Sequence, residues 1–324
     1  MLFSVIIPLY NKAPYVAKAI ASVLAQTYGD YELIVVDDGS KDDSAKTAAN
    51  AIEDHENCRL IRQDNQGVSM ARNNGVVFSK GEYLCFLDAD DWWEPTFLEE
   101  MSILVSDFPD AGIYGTNYTI VNETKHKTRM AQIGVKEGFK KGYINYCQAY
   151  ARTMYMPLWT GAVCVPRKVF NEMKGFPQGI KLGEDFILWI TIALKKKVAF
   201  LNKSLAYYNQ DVEVENRGVG KLHQPQQHML WNLNFLSEEE KTNPDYKQLI
   251  DNLRVYGLLP YYLSKEYHEE AQKELGKVDW SNRANSERRM YSMPLCWLKL
   301  KRFLLIIGSN IKTKIIWVLT LVSK

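Results

Sequence analysis

The chain has 324 residues, 46% of them hydrophobic and 24% charged, which excludes wholesale disorder and leaves room for one large domain with appendages. A formal net charge of +2 is too small to recommend nucleic acid as a partner. The five cysteines (Cys58, Cys85, Cys147, Cys164 and Cys296) are scattered with no C-x-x-C pair, which argues against a zinc site or a disulfide framework and for a reducing compartment.

The first residues, "MLFSVIIPLYNK", enter an apolar run without a basic lead-in, so the expectation is no signal peptide and a cytosolic catalytic face. "FSVIIP" (3–8) reads as a strand and "PYVAKAIASVLAQT" (14–27) as a helix with proline in its first turn. "YELIVV" (31–36) is a second strand ending in "DDGS", a turn that leads into the helix "DDSAKTAANAIEDH". "CRLIRQ" (58–63), "GVSMARNNGVVFSK" (67–80) and "EYLCFL" (82–87) follow as strand, helix and strand. Strands that are apolar throughout and separated by helices predict an α/β fold: a mostly parallel sheet with helices on both faces. From about residue 111 the pattern loosens. "AGIYGTNYTIV" suggests further strands, 123–142 an exposed loop, "TGAVCVPRKVF" (160–170) a strand then a helix, and "GEDFILWITIALKKK" (183–197) a largely apolar helix. The stretch 224–277 is polar and helical in character, and 288–324 contains no acidic residue.

In a parallel sheet ligands sit beyond the carboxyl ends of the strands, which is where "PLYN", "DDGS" and "DADD" all fall. Asp88, Asp90 and Asp91 crowd within four positions. Such a cluster is either a solvated, helix-capping turn or a seat for a hard divalent cation, whose charge relieves the repulsion between carboxylates. Alternate residues of an extended segment point the same way, so Asp88 and Asp90 can face one ligand. Asp38 in "VVDDGS" reads as a plain Asp-Gly turn or as a carboxylate offered to a base or ribose. Tyr10 and Asn11 suit stacking against and bonding to a base. Arg72 is either a surface arginine or a partner for a diphosphate. Glu184 and Asp185, in the first turn of an otherwise apolar helix, are favoured there by the helix dipole or serve as a general base.

Taken in order, "SVIIPLYNK", "VVDDGSKDDS", "GVSMARNNG", "GEYLCFLDADDWWEP" and "GEDFILW" resemble the family 2 inverting glycosyltransferases, over roughly residues 3–200. The resemblance implies the GT-A fold, a nucleotide-sugar donor (most often a UDP-sugar), and a divalent cation, Mn²⁺ or Mg²⁺, held by the D-x-D element. By position, Leu9, Tyr10 and Asn11 would border the base, Asp38 would bond the uracil ring, and Asp88 with the neighbouring Ala89 would approach the ribose or sugar. Asp90 would hold the metal and Asp185 would take the acceptor's proton. Trp159, Thr160 and Gly161 of "WTGAV", with Glu184, would line the sugar and acceptor pocket. Arg217 and His223 of "NRGVGKLH" would belong to a loop over the diphosphate. The implied organisation is a catalytic domain over 1–223, split into a nucleotide-binding half (1–110) and an acceptor half (111–223), then a helical C-terminal region over 224–324.

Processive members of the family that the chain resembles carry a Q-x-x-R-W motif, which does not occur here, so the resemblance implies single addition rather than polymer synthesis. The stretch 296–324 mixes Trp297, Phe303 and Trp317 with Lys299, Lys301, Arg302, Lys312 and Lys314. Its apolar runs fall short of the ~20 residues needed to span a bilayer, so it reads as an interfacial segment on an anionic membrane or as a helix packed on the domain. Together these expectations describe a peripheral protein on the inner membrane face that acts on a glycan or lipid-linked acceptor. The rivals are a non-catalytic nucleotide-sugar binding protein of the same fold, and a nucleotidyltransferase, which would carry a Gly-rich loop where this chain has "PLYNKAPYV".

Overall fold

A computed structural model describes residues 1–122, 124, 126–211, 222–295 and 297–298. Four strands and the three helices between them open the chain: β1 (Phe3–Leu9), α1 (Val16–Leu24), β2 (Tyr31–Asp37), α2 (Ser44–Ile52), β3 (Cys58–Arg62), α3 (Val68–Phe78) and β4 (Tyr83–Phe86). They pair in parallel in the order β3-β2-β1-β4. The alternation of β1 explains why helices cover both faces. Phe3, Val5, Ile7 and Leu9 point into a core with Val16, Ala19, Ile20 and Val23 of α1. Ile6 points the other way, toward α3. There a Cβ on Gly75 would stand only 2.5 Å from Ile6 Cγ2, so glycine alone lets α3 lie this close to the sheet. This is the physical reason for the glycine in "ARNNG".

The second half is mixed rather than parallel. It contains β5 (Trp92–Trp93), α4 (Phe97–Asp107), β6 (Ala111–Asn122), β7 (Lys127–Met130), β8 (Lys141–Ile144), α5 (Tyr146–Thr153), β9 (Val163–Pro166), α6 (Arg167–Glu172), α7 (Glu184–Lys195) and β10 (Lys197–Asn209). Strand β9 inserts antiparallel to both β4 and β6, while β10 runs parallel to β6 and antiparallel to β5 and β8. An apolar run buried on both faces carries no mark of strand direction, so the expected mostly parallel sheet holds while the places of its antiparallel strands do not show in the sequence. Strand β10 falls between the helix expected over 183–197 and the helical stretch 224–277, where the sequence pattern marks no element. Its burial alternates irregularly, and bulges at Leu201/Ser204 and Ser204/Ala206 break its period. The stretch 123–142, expected as a loop, carries β7, an exposed edge strand held by its backbone pairing with β6, and buries Ala131 and Ile133.

The chain divides into two compact units, Met1–Leu249 and Ile250–Lys324. The expected boundary at 223/224 therefore falls inside the first unit, because the residues just after it are tied there. Lys181 N–H donates to Gln227 O at 2.7 Å and Met229 N–H to Leu182 O at 3.0 Å. Short helices α8 (Ser237–Thr242) and α9 (Pro244–Gly257) follow, and the division falls within α9. Beyond it come α10 (Leu259–Tyr262), α11 (His268–Leu275) and α12 (Asn285–Ser292), so the expectation of a helical C-terminal region holds. The second unit has its own buried charge cluster, in which Arg254 lies 3.6 Å from Asp251 and 3.5 Å from Glu274. Among the described residues no helix is long and apolar enough to cross a membrane. The basic stretch from 299 onward, and Arg217, lie outside the described residues.

Candidate active site

The loops after β1, β2 and β4 meet at the carboxyl ends of the parallel strands. The first of them holds Leu9, fully buried, and Tyr10, which is 42% exposed. Asn11 takes a left-handed φ of +49°, with its N–H on Ser40 Oγ (3.1 Å) and its Oδ1 accepting from Lys41 N–H (2.9 Å). A non-glycine residue held at positive φ by its neighbours is a strained, pre-set loop. The two loops are thereby stitched together.

Asp38 is buried, and its carboxylate accepts Gln63 Nε2, Gln66 N–H and Gly67 N–H, each at 2.8 Å. It therefore shapes the turn that starts α3. Asp37 beside it accepts from Ser40 N–H and from Arg62 Nε, both at 3.1 Å.

Arg72 on α3 is the hinge pin of the site. Its side chain is only 4% exposed; Nη2 donates to Asp88 Oδ1 at 2.7 Å and Nη1 to Glu184 Oε1 at 2.9 Å. Burial pulls the guanidinium's pKa down, but the charges of Asp88 and Glu184 outweigh it and hold the group above its ordinary value. A surface arginine is thus excluded, and both terminal nitrogens are committed to carboxylates rather than aimed at a diphosphate. Glu184 is pushed up to about 6 by burial and by neighbouring Asp185, against the pull of Arg72.

Asp88 is partly open to solvent, Ala89 is buried, and Asp90 Oδ2 receives the Lys12 ammonium at 2.6 Å. Burial raises Asp90, with Lys12 opposing and Asp88 assisting. Asp91 is fully enclosed, and burial followed by the Asp90 and Asp88 charges holds its carboxyl well above the usual range. Its Oδ1 accepts from Asn209 N–H at 2.8 Å, which fastens the cluster to β10. Among the described residues no three His, Cys, Asp or Glu side chains converge as a metal cage. A Mg²⁺-type site needs only one or two carboxylates, the remainder being phosphate oxygens and water. The crowded acids, with Asp88 31% and Asp90 18% exposed, fit that chemistry.

Asp185 is the second residue of α7, which starts after Gly183, whose φ of +83° and missing Cβ (2.3 Å from Met229 Sδ if present) require glycine. Its Oδ2 accepts from the buried Thr160 hydroxyl at 2.8 Å and its Oδ1 from Phe186 N–H at 2.7 Å. Thr160–Ala162 form a 3₁₀ turn, anchored where Trp93 Nε1 donates to Gly161 O at 2.6 Å. Trp159 lies against Tyr118 and Tyr208, with ring centroids 4.9 and 5.4 Å away. Trp93 stacks on Phe97 of α4, and Trp92 on Tyr207 with Lys18 above it, so both tryptophans of "DDWW" are packing residues. His223 is half-buried near His228. Lys12 and Trp93 are contributors that motif reasoning missed: Lys12 merely follows "PLYN", and an indole N–H leaves no sequence pattern.

The family described as Glycosyl transferase family 2 matches residues 4–167, half of the chain. An uncharacterised glycosyltransferase of Rickettsia felis is 32% identical over 210 residues, 63% of this chain and 32% of its own length. Glycosyltransferase GlyA of Streptococcus pneumoniae is 31% identical over 212 residues, 63% of this chain and 30% of its own. The matches thus span about a third of these relatives. Among solved structures, S. aureus TarS 1–349 in complex with UDP-GlcNAc superposes with a TM-score of 0.69 at 17% identity, covering 86% of this chain and 82% of that one. The family match, together with this sheet and its strand-end loops, shows that the chain belongs to glycosyl transferase family 2 and has the GT-A fold.

Proposed function

We propose that the protein is an inverting glycosyltransferase that moves one sugar from a nucleotide-sugar, a UDP-sugar by preference, to a hydroxyl of a growing cell-surface glycan or lipid-linked oligosaccharide. The observation that carries this reading is the Arg72 bridge. It ties Asp88, on the donor side, to Glu184, 112 positions from Arg72 and adjacent to Asp185. Donor-binding and base-bearing segments thus meet at one buried cation, as a single displacement with the base opposite the leaving group requires. The UDP-GlcNAc complex of TarS, a protein of the same fold, supports a UDP-linked donor.

In this mechanism Leu9, Tyr10 and Asn11 border the base, Asp38 sets the turn beside it, and Asp88 orients the ribose or sugar. Asp185, held by the Thr160 hydroxyl on Oδ2 and the Phe186 amide on Oδ1, takes the acceptor hydroxyl's proton through a remaining lone pair as the acceptor oxygen attacks the anomeric carbon and the bond to the diphosphate breaks. Trp159 and Gly161 line the acceptor side. Arg217 and His223 are the candidates for contacting the diphosphate. Asp90 would hold a divalent cation, Mn²⁺ or Mg²⁺, which would supply Lewis-acid neutralisation of the leaving diphosphate. The acid-free, basic and aromatic stretch 296–324 supports a peripheral seat on the anionic cytoplasmic face of the inner membrane, where a lipid-linked acceptor would be presented.

Asp185→Asn should lower transfer by at least ~10²-fold while UDP still raises the melting temperature. Asp90→Ala should lose activity and its response to Mn²⁺. Lost nucleotide binding in Asp185→Asn would make that residue structural, and full activity in excess chelator would remove the metal. Absence of both transfer and slow UDP-sugar hydrolysis in the wild type would favour a binding protein.

A further inference from the structure

Lys12 ends the β1 loop with its ammonium 2.6 Å from Asp90 Oδ2; the two side chains are 15% and 18% exposed. The loop is built to hold it there. Lys12 N–H donates to Ser44 Oγ at 2.7 Å, Ala13 N–H to Asp42 Oδ2 at 3.2 Å, and the preceding Asn11 is fixed at positive φ between Ser40 and Lys41. The neighbouring carboxylates have other partners: Asp88 is paired with Arg72, and Asp91 with the Asn209 amide. The ammonium therefore stands on the one acid of the cluster assigned to the metal. A divalent cation and an ammonium repel one another at a half-buried carboxylate, where water screens poorly.

We propose that Lys12 is a resident counter-ion that competes with the divalent cation for Asp90, so that the metal enters together with the donor's diphosphate and not before it. This rests on the assignment of Asp90 as the metal anchor. The arriving diphosphate offers the ammonium a second anion, Asp90 is freed for the metal, and nucleotide and metal bind cooperatively. By linkage each tightens the other by the same factor. The device keeps Asp90 paired until the donor arrives and stops it from collecting free cations.

The test is Mn²⁺ binding to the full chain, followed by the electron paramagnetic resonance signal of free Mn²⁺ with and without UDP, in the wild type, Lys12→Met, Lys12→Gln, Lys12→Arg and Asp90→Asn. The neutral variants should bind Mn²⁺ alone about tenfold more tightly than the wild type. The tightening produced by UDP should shrink in them by a similar factor, and Lys12→Arg should keep the wild-type coupling. Melting curves verify that each variant is folded, and the two neutral variants check one another. If Asp90→Asn loses Mn²⁺ while Lys12→Met and Lys12→Gln behave as the wild type, the counter-ion role is overturned and the Asp90 assignment stands. If Asp90→Asn binds Mn²⁺ like the wild type, the assignment itself falls and the counter-ion role with it.

Discussion

Arg72 shows what a single residue does in this site. It is almost wholly removed from water and bridges two carboxylates that come from elements far apart in the chain. Deleting one member of such a buried group leaves charges without compensation, which costs about 3–5 kcal/mol. Arg72→Met should therefore lower unfolding free energy by that amount in urea titrations; a loss under ~1 kcal/mol would contradict a structural bridge. Lysine cannot span both acids with one ammonium, so Arg72→Lys should rescue little. The acids themselves were legible in the sequence through the order of the motifs that carry them, since each one alone also serves as a turn, capping or helix-dipole residue. Arg72's partners were not, since Asp88 and Glu184 meet it only after the sheet and α7 are assembled.

At the scale of elements, helix α7, which carries the proposed base Asp185, depends on a strap. Residues 225–232 lie along 181–183, with Leu182 bridged to His228 and the Met229 side chain packed against Gly183. His228 is 3% exposed and accepts Leu230 N–H on Nδ1 at 3.1 Å. Burial, aided by His223, lowers it from 6.5 to about 4. A depressed pKa means that the folded state prefers neutral imidazole. Its contribution is complete above pH 6.5 and is lost as pH falls through about 4. The linkage amounts to about 3 kcal/mol across that window. The melting temperature should decline between those pH values, and His228→Asn should flatten the decline; an unchanged slope would mean that other groups carry it. The helix and its glycine start were readable from "GEDFILW". The strap was not, because its residues are polar and aperiodic and are ordered by backbone bonds to another segment.

At the scale of the molecule, the acid-free C-terminal stretch separates charge along the chain while the net charge stays near zero. Membrane association should then be electrostatic. The full chain should co-sediment with vesicles containing phosphatidylglycerol, not with phosphatidylcholine alone, and a chain lacking 296–324 should stay in the supernatant. Equal binding to both lipids, or binding that survives the deletion, would refute the proposed seat. Sequence alone determined the α/β class, the order of the first four strands and helices, and the acids at their ends, because periodicity and turn chemistry are local. Tertiary structure decided strand direction in the second half, the presence of β10, the division within α9, and the partners of Arg72, Asp90 and Asp185. Those depend on which distant segments share a buried place, where a charge must find its counter-charge within a few ångströms, and no spacing along the chain records that.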